Sequence, residues 1–170
     1  MRLSFAVTGA LCSALVVGSN FAANAQEAVP EKMPFDVPYG APISYEKAIG
    51  AINAAAAEAK KRNWKMNIAV VDPNGELIAF QRMDGAQIAS VKISQGKAAT
   101  AARYRRESEA FFKAMESGHP YVFTLDYALV ASPGGIPLNE GGKIVGGIGC
   151  SGGTGSQDAV ICKVGAATVK

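Results

Sequence analysis

A chain of 170 residues, 49% hydrophobic and with 19 glycines, is long enough for one domain with a single core and too apolar for a disordered tail. Its formal net charge is +3, 18% of its residues are charged, and no basic stripe runs along it. Nucleic-acid binding is excluded on that ground, since nothing stands ready to neutralise a row of phosphates. Low charge beside so much apolar surface points to a homo-oligomer.

The first 25 residues read as an address. Arg2 supplies a short positive start, LSFAVTGALCSALVVG an apolar run, and Ala23-Asn24-Ala25 a small-residue cleavage site before Gln26. The run is short for a bilayer span and lacks a basic stop-transfer flank. The expectation is a cleaved signal peptide over 1–25, a periplasmic or secreted mature protein, and no membrane span after cleavage.

Residues 26–43 read as an extended arm. Pro30, Pro34, Pro38 and Pro42 oppose helix, and Met33, Phe35, Val37 and Tyr39 give the arm an apolar set to lay on the body or on a neighbouring subunit. A single domain then spans 44–170. Its first helix is capped by Ser44 and runs to Arg62-Asn63, with Ala48, Ile52, Ala55 and Ala59 at helical spacing. A hairpin follows, Asn67–Val71 and Glu76–Arg82 around the turn Asp72-Pro73-Asn74-Gly75. The first of these strands is apolar on both faces and so belongs in the middle of a sheet.

A second helix is predicted over 87–104. Gly96 inside it costs about 1 kcal/mol against alanine, which implies a close neighbour there. A short third helix, capped by Ser108, stops at Gly118-His119-Pro120. The remainder reads as a short strand at Leu129-Val130, a strand after the Pro133-Gly134-Gly135 turn, a glycine-dotted strand over 143–150, and a closing helix over 157–167. Hairpins in place of crossovers argue for an antiparallel sheet with helices packed on it.

The glycine-dotted strand runs into GGIGCSGGTGSQDAVICK, where Gly147, Gly149 and Gly152 fall on the spacing of a dinucleotide-binding turn. The context refuses that reading: no parallel strand follows the helix, and no acidic residue follows Asp158. What survives is a strand, a glycine turn and a helix N-terminus, whose backbone N–H groups can hold a carboxylate or phosphate. Cys150 and Cys162 bracket the segment. In an oxidising compartment an even pair favours a bridge, with two buried free thiols as the alternative and a metal site least favoured.

Among the polar residues, His119 is the sole histidine. It is a candidate haem-iron ligand or base, or else simply the exposed end of a helix, and the five tyrosines are further candidate ligands. Arg82, Asp84 and Lys97 are the other suggestive group. Lys97 sits in an alanine-rich helix face, where a lysine either reaches for solvent or answers an anion. Arg82 and Asp84 form either part of an anion site or a salt bridge. The Lys60-Lys61-Arg62 and Arg103, Arg105, Arg106 clusters read as solvated helix ends.

The stretches IAVVDPNGELIAFQRMDGA, IASVKISQGKAATAAR, SPGGIPL and GKIVGGIGCSGGTGSQDAVICKVG occur in that order, and together they resemble the GlcG/HbpS-like family. The resemblance covers 44–170. It implies an α/β fold of the α+β type, profilin-like, with a five-stranded antiparallel sheet flanked by helices, and assembly into homo-oligomers. It also implies a shared ligand pocket at Arg82, Asp84, Lys97, Gly134, Gly135, Ser151, Gly152, Gly153 and Asp158. Cys150, where relatives carry valine, departs from the family pattern.

Two functions follow from the residues and the resemblance together. One is an exported protein that captures haem as a non-covalent cofactor, and degrades it in some relatives, with Lys97 or Arg82 facing the propionates. The alternative is an enzyme or carrier for a small organic acid held in the Lys97 and glycine-turn pocket, with Lys97 as the catalytic acid or base.

Overall fold

The structure, a computed structural model, describes residues 29–33 and 35–170. The expected signal peptide lies outside the described residues. The chain divides into two units, Met1–Lys32 and Met33–Lys170, and every element below belongs to the second.

Helix α1 (Tyr45–Lys61) starts where Ser44 accepts the Lys47 N–H, with Glu46 in its first turn and Lys60 and Lys61 in its last. Strands β1 (Asn67–Val71) and β2 (Leu77–Arg82) form the expected hairpin, in which the Asp72 carboxylate accepts the Asn74 and Glu76 N–H groups. Helices α2 (Ser90–Tyr104) and α3 (Glu109–Glu116) come next, and a 3-10 turn at Pro120–Thr124 follows them. Strands β3 (Gly135–Glu140) and β4 (Lys143–Ser151) and helix α4 (Gly155–Ala166) complete the domain.

Among the described residues the sheet is antiparallel in the order β2-β1-β4-β3 and has four strands, not the five expected. Leu129-Val130 is not a strand. Val130 is seated on α2 instead: its N–H donates to Thr100 Oγ1 at 3.0 Å, and a Cβ on Gly96 would lie 2.4 Å from its Cγ2. That contact is the close neighbour Gly96 implied.

Side chains on β1 alternate between two cores. Ile68 and Val70 face α1 and α4, together with Ile136, Leu138, Ile148 and Ile161. Ala69 and Val71 face α2, with Ala98 and Ala102. The second interface is thin because the strands carry glycine where α2 crosses them. A Cβ on Gly149 would stand 2.0 Å from the Ser94 carbonyl oxygen, and one on Gly147 2.3 Å from that of Ala98. The α2 backbone thus rests directly on the β4 backbone.

The end of the arm, residues 38–40, lies on this body. It runs parallel to β4 in the lane that β1 leaves at Val71, with Gly40 N–H donating to Ile144 O and Ile144 N–H to Pro38 O, both at 2.8 Å. Two helix starts differ from the sequence reading. Ser108 precedes α3 but does not cap it: its hydroxyl donates to Ser132 O and accepts the Gly135 N–H, tying α3 to β3. Helix α4 begins earlier than expected because Thr154 and Gln157 form a capping box.

Candidate functional site

The residues expected to line a ligand pocket come together, but most of them face one another. Lys97 reaches from α2 through the sheet layer, and its Nζ donates to Asp158 Oδ2 at 2.7 Å and to Cys150 O at 3.3 Å. The Gly152 and Gly153 N–H groups donate to Asp158 Oδ1 at 3.1 and 3.0 Å. Gly134 passes against the pair at φ +110°, where a Cβ would lie 2.7 Å from Asp158 Cβ. Ser151 Oγ donates to Ser90 Oγ at the start of α2, and a Cβ on Gly135 would stand 2.2 Å from Lys97 O. The Lys97 and Asp158 side chains are 2% and 3% exposed.

This is a latch that holds α2, β4 and α4 together, and it occupies the place where the small-acid reading put a ligand. The glycine turn and the α4 N-terminus do hold a carboxylate, as their chemistry predicts, and that carboxylate is Asp158's own. Lys97 answers the same anion. A disulfide joins Cys150 on β4 to Cys162 on α4, Cα atoms 5.6 Å apart and both residues fully buried, so the same two elements are also tied covalently.

Arg82 and Asp84 stand elsewhere. With Lys60, Trp64, Lys65 and Met83 they line a cleft of about 370 Å³. A neighbouring cleft of about 360 Å³ shares Trp64 and Lys65 and is bordered by Gly152, Gly153 and Gln157, the outer rim of the latch. Among the described residues Arg82 and Asp84 make no ion pair with each other, and neither Lys60, Lys65 nor Arg82 makes one at all.

His119 belongs to a third place. It is exposed at the entry to the 3-10 turn, its ring centroid 6.0 Å from that of Tyr121. The residues after it leave Tyr121, Phe123, Leu125 and Tyr127 exposed, with Tyr127 fully so. Four large apolar side chains within seven positions form the kind of surface a soluble domain covers with a partner or a flat ligand.

Near this stretch lies a residue the sequence reading missed. Arg103 is the solvated helix-end cation expected, paired with Asp126 at 2.9 Å, but Arg106 is half-buried among aromatic rings. Its guanidinium carbon sits 3.8 Å from the Phe35 centroid, 4.6 Å from that of Phe111 and 5.9 Å from that of Tyr104. It has no carboxylate partner among the described residues, and its buried Nε has no acceptor. Burial lowers its pKa from the ordinary arginine value, and the nearby Tyr121 and Tyr104 act in the opposite sense. No local pattern signals this cage, because Phe35 comes from the arm, far away in the chain. Asn67 is a second buried polar group with an open valence: Nδ2 donates to Gln87 O at 3.0 Å, while Oδ1 has no partner.

Similarity to known proteins covers almost the whole domain. The family described as "Haem degrading protein HbpS-like" matches residues 43–167. Protein GlcG of Escherichia coli (strain K12) is 39% identical over 109 residues, which is 64% of this chain and 81% of that protein. The crystal structure of HbpS superposes with a TM-score of 0.72 at 28% identity, over 79% of this chain and 95% of that one. The PduOC:heme complex superposes with a TM-score of 0.70 over 76% of this chain and 96% of that one; at 24% identity it is a likeness of fold alone.

Proposed function

The chain belongs to the HbpS-like family, and on that premise we propose that it captures haem non-covalently at the exposed segment 119–127. The observation that carries the reading is His119. It is the sole histidine, it is exposed, and it opens a run of exposed apolar side chains. Capture needs an imidazole nitrogen free to meet the iron and apolar surface to cover the porphyrin face, and this segment offers both. Bound haem would supply a redox-active iron; the chain's part is to hold it and shield one face. Ring breakdown, to which the family description refers, draws on dioxygen and an electron donor and has its own readout, loss of the Soret band over time with both supplied.

The test is a haemin titration followed in the Soret band, with wild type set against His119→Ala. A saturable stoichiometric shift that the variant loses supports the reading. A shift that the variant keeps moves the ligand to the neighbouring tyrosines, and no shift in wild type overturns haem capture.

We also propose export to the periplasm or beyond, for which the Cys150–Cys162 bridge is the support, since such bridges persist in oxidising compartments. Homo-oligomerisation is proposed from the exposed apolar segment. A small organic acid remains a second reading, moved from the Lys97 pocket to the Arg82 cleft. The observation favouring it is that Lys60, Lys65 and Arg82 share that cleft, with Asp84 its one lining acid. Thermal stabilisation by a panel of small carboxylates, lost in Arg82→Gln, tests it.

A further inference from the structure

We propose that Arg106 is the anchor for a porphyrin carboxylate, so that one haem is held by its iron at His119 and by a propionate at the aromatic cage. The proposal deepens the haem reading and rests on it. Arg106 is half-buried with its Nε fully so, and a cation partly withdrawn from water normally faces a carboxylate, because burial disfavours the charge unless it is paired and hydrogen-bonded. Arg106 has rings where a counter-ion would be: Phe35 from the arm, Phe111 from α3 and Tyr104 from the end of α2. Those rings stabilise the cation through their faces and accept no N–H in the guanidinium plane. The residue is therefore held among rings with no carboxylate partner among the described residues, the condition for recognising an acid from outside.

The neighbourhood selects the class of acid. Phe111 lies on α3, which packs against the 3-10 turn that His119 opens, so the cage and the exposed turn are neighbours. Tyr121 stacks edge-on with His119. An acid that reaches Arg106 from this surface thus carries a large apolar body lying over Tyr121 and its neighbours. A porphyrin with propionates at its edge matches that description, and a small hydrophilic acid does not.

The experiment compares haemin with haemin dimethyl ester, which keeps the iron and ring and loses both charges, on wild type, Arg106→Gln and His119→Ala, each with the Cys150–Cys162 bridge intact. Wild type is expected to bind haemin roughly 10- to 100-fold more tightly than the ester, the worth of one charge-assisted pair. Arg106→Gln removes that preference by weakening haemin alone. His119→Ala alters the Soret position and weakens both ligands while keeping the preference. Equal affinity of wild type for the two ligands, or equal weakening of both by Arg106→Gln, overturns the anchor and leaves haem capture standing. Failure of wild type to bind either one overturns both. Denaturation midpoints of the variants, equal to wild type, establish that lost binding is not lost folding.

Discussion

Lys97 Nζ lies 2.7 Å from Asp158 Oδ2 with both side chains buried, and the other oxygen of the same carboxylate takes two backbone N–H groups from the turn before α4. Breaking a buried pair from one side leaves a charge with no partner, which costs about 3–5 kcal/mol. Lys97→Met is therefore expected to lower the urea midpoint sharply. Adding Asp158→Asn recovers part of the loss, because the neutral amide keeps an acceptor for Gly152 and Gly153. A catalytic or ligand-binding Lys97 would behave differently, losing ligand affinity with stability unchanged.

The contact between α2 and the sheet is set by absent side chains. Gly149→Ala places a Cβ 2.0 Å from the Ser94 carbonyl oxygen, in backbone that cannot swing aside. The α2 helix must lift, at a cost of about 2–3 kcal/mol or more. Gly50 is the control. It lies in α1 with nothing within 4 Å of its Cβ position, so Gly50→Ala should stabilise by about 1 kcal/mol through helix propensity. Opposite signs in one denaturation series check the packing argument.

That contrast shows what the chain discloses locally and what it does not. The periodicity of α1, the β1–β2 turn and the two apolar faces of β1 are short-range signals, and they place β1 in the middle of the sheet with β2 beside it at the edge. Gly96 announces a close neighbour but not its identity, and Leu129-Val130 reads as a fifth strand because a short apolar pair looks alike on a sheet or on a helix. The glycine turn is legible as a carboxylate cradle, while its occupant here, Asp158, lies six residues beyond Gly152 and is not singled out by the pattern. Arg106 was illegible because its cage is assembled from the arm, α2 and α3, and side-chain burial of that kind appears only after the chain has folded. Thr154-x-x-Gln157 carries the pattern of a capping box, a short-range signal that fixes the start of α4.

The Cys150–Cys162 bridge closes a short loop, with a sequence separation of 12, and the loop-entropy relation gives it about 2–3 kcal/mol. Cys150→Ala with Cys162→Ala should lower stability by that amount without unfolding the domain, since the latch ties the same elements. Intact mass with alkylation checks the bond itself. Labelling of both thiols before any reductant is added would show that they are free.

Acid should weaken the end of α1. The Arg62 guanidinium, hydrogen-bonded to Glu58 at 2.7 Å, holds the Glu58 carboxyl below its ordinary value of 4.5. A carboxyl whose folded pKa is depressed contributes stability above its unfolded pKa and loses it as pH falls through the folded one. The pair lies at the surface with Arg62 exposed and Glu58 partly covered, so the effect is small. Melting temperature followed downward from pH 5 should fall slightly less steeply in Glu58→Gln than in wild type, and the two should coincide near neutrality apart from a constant offset.

The exposed segment after His119 separates folding from binding most cleanly. Tyr127 is fully exposed and Phe123 nearly two-thirds so, at 103% and 63%, and neither belongs to the buried core. Replacing either by serine removes little from the folded interior, so stability should stay within about 0.5 kcal/mol of wild type. Haemin affinity should fall, because each ring contributes apolar contact to the porphyrin face, and the fall should appear equally with the dimethyl ester, whose ring is the same. Any oligomer built on this surface should weaken in the same variants, read by sedimentation over a dilution series. Unchanged haemin affinity in both variants would place the haem elsewhere on the domain.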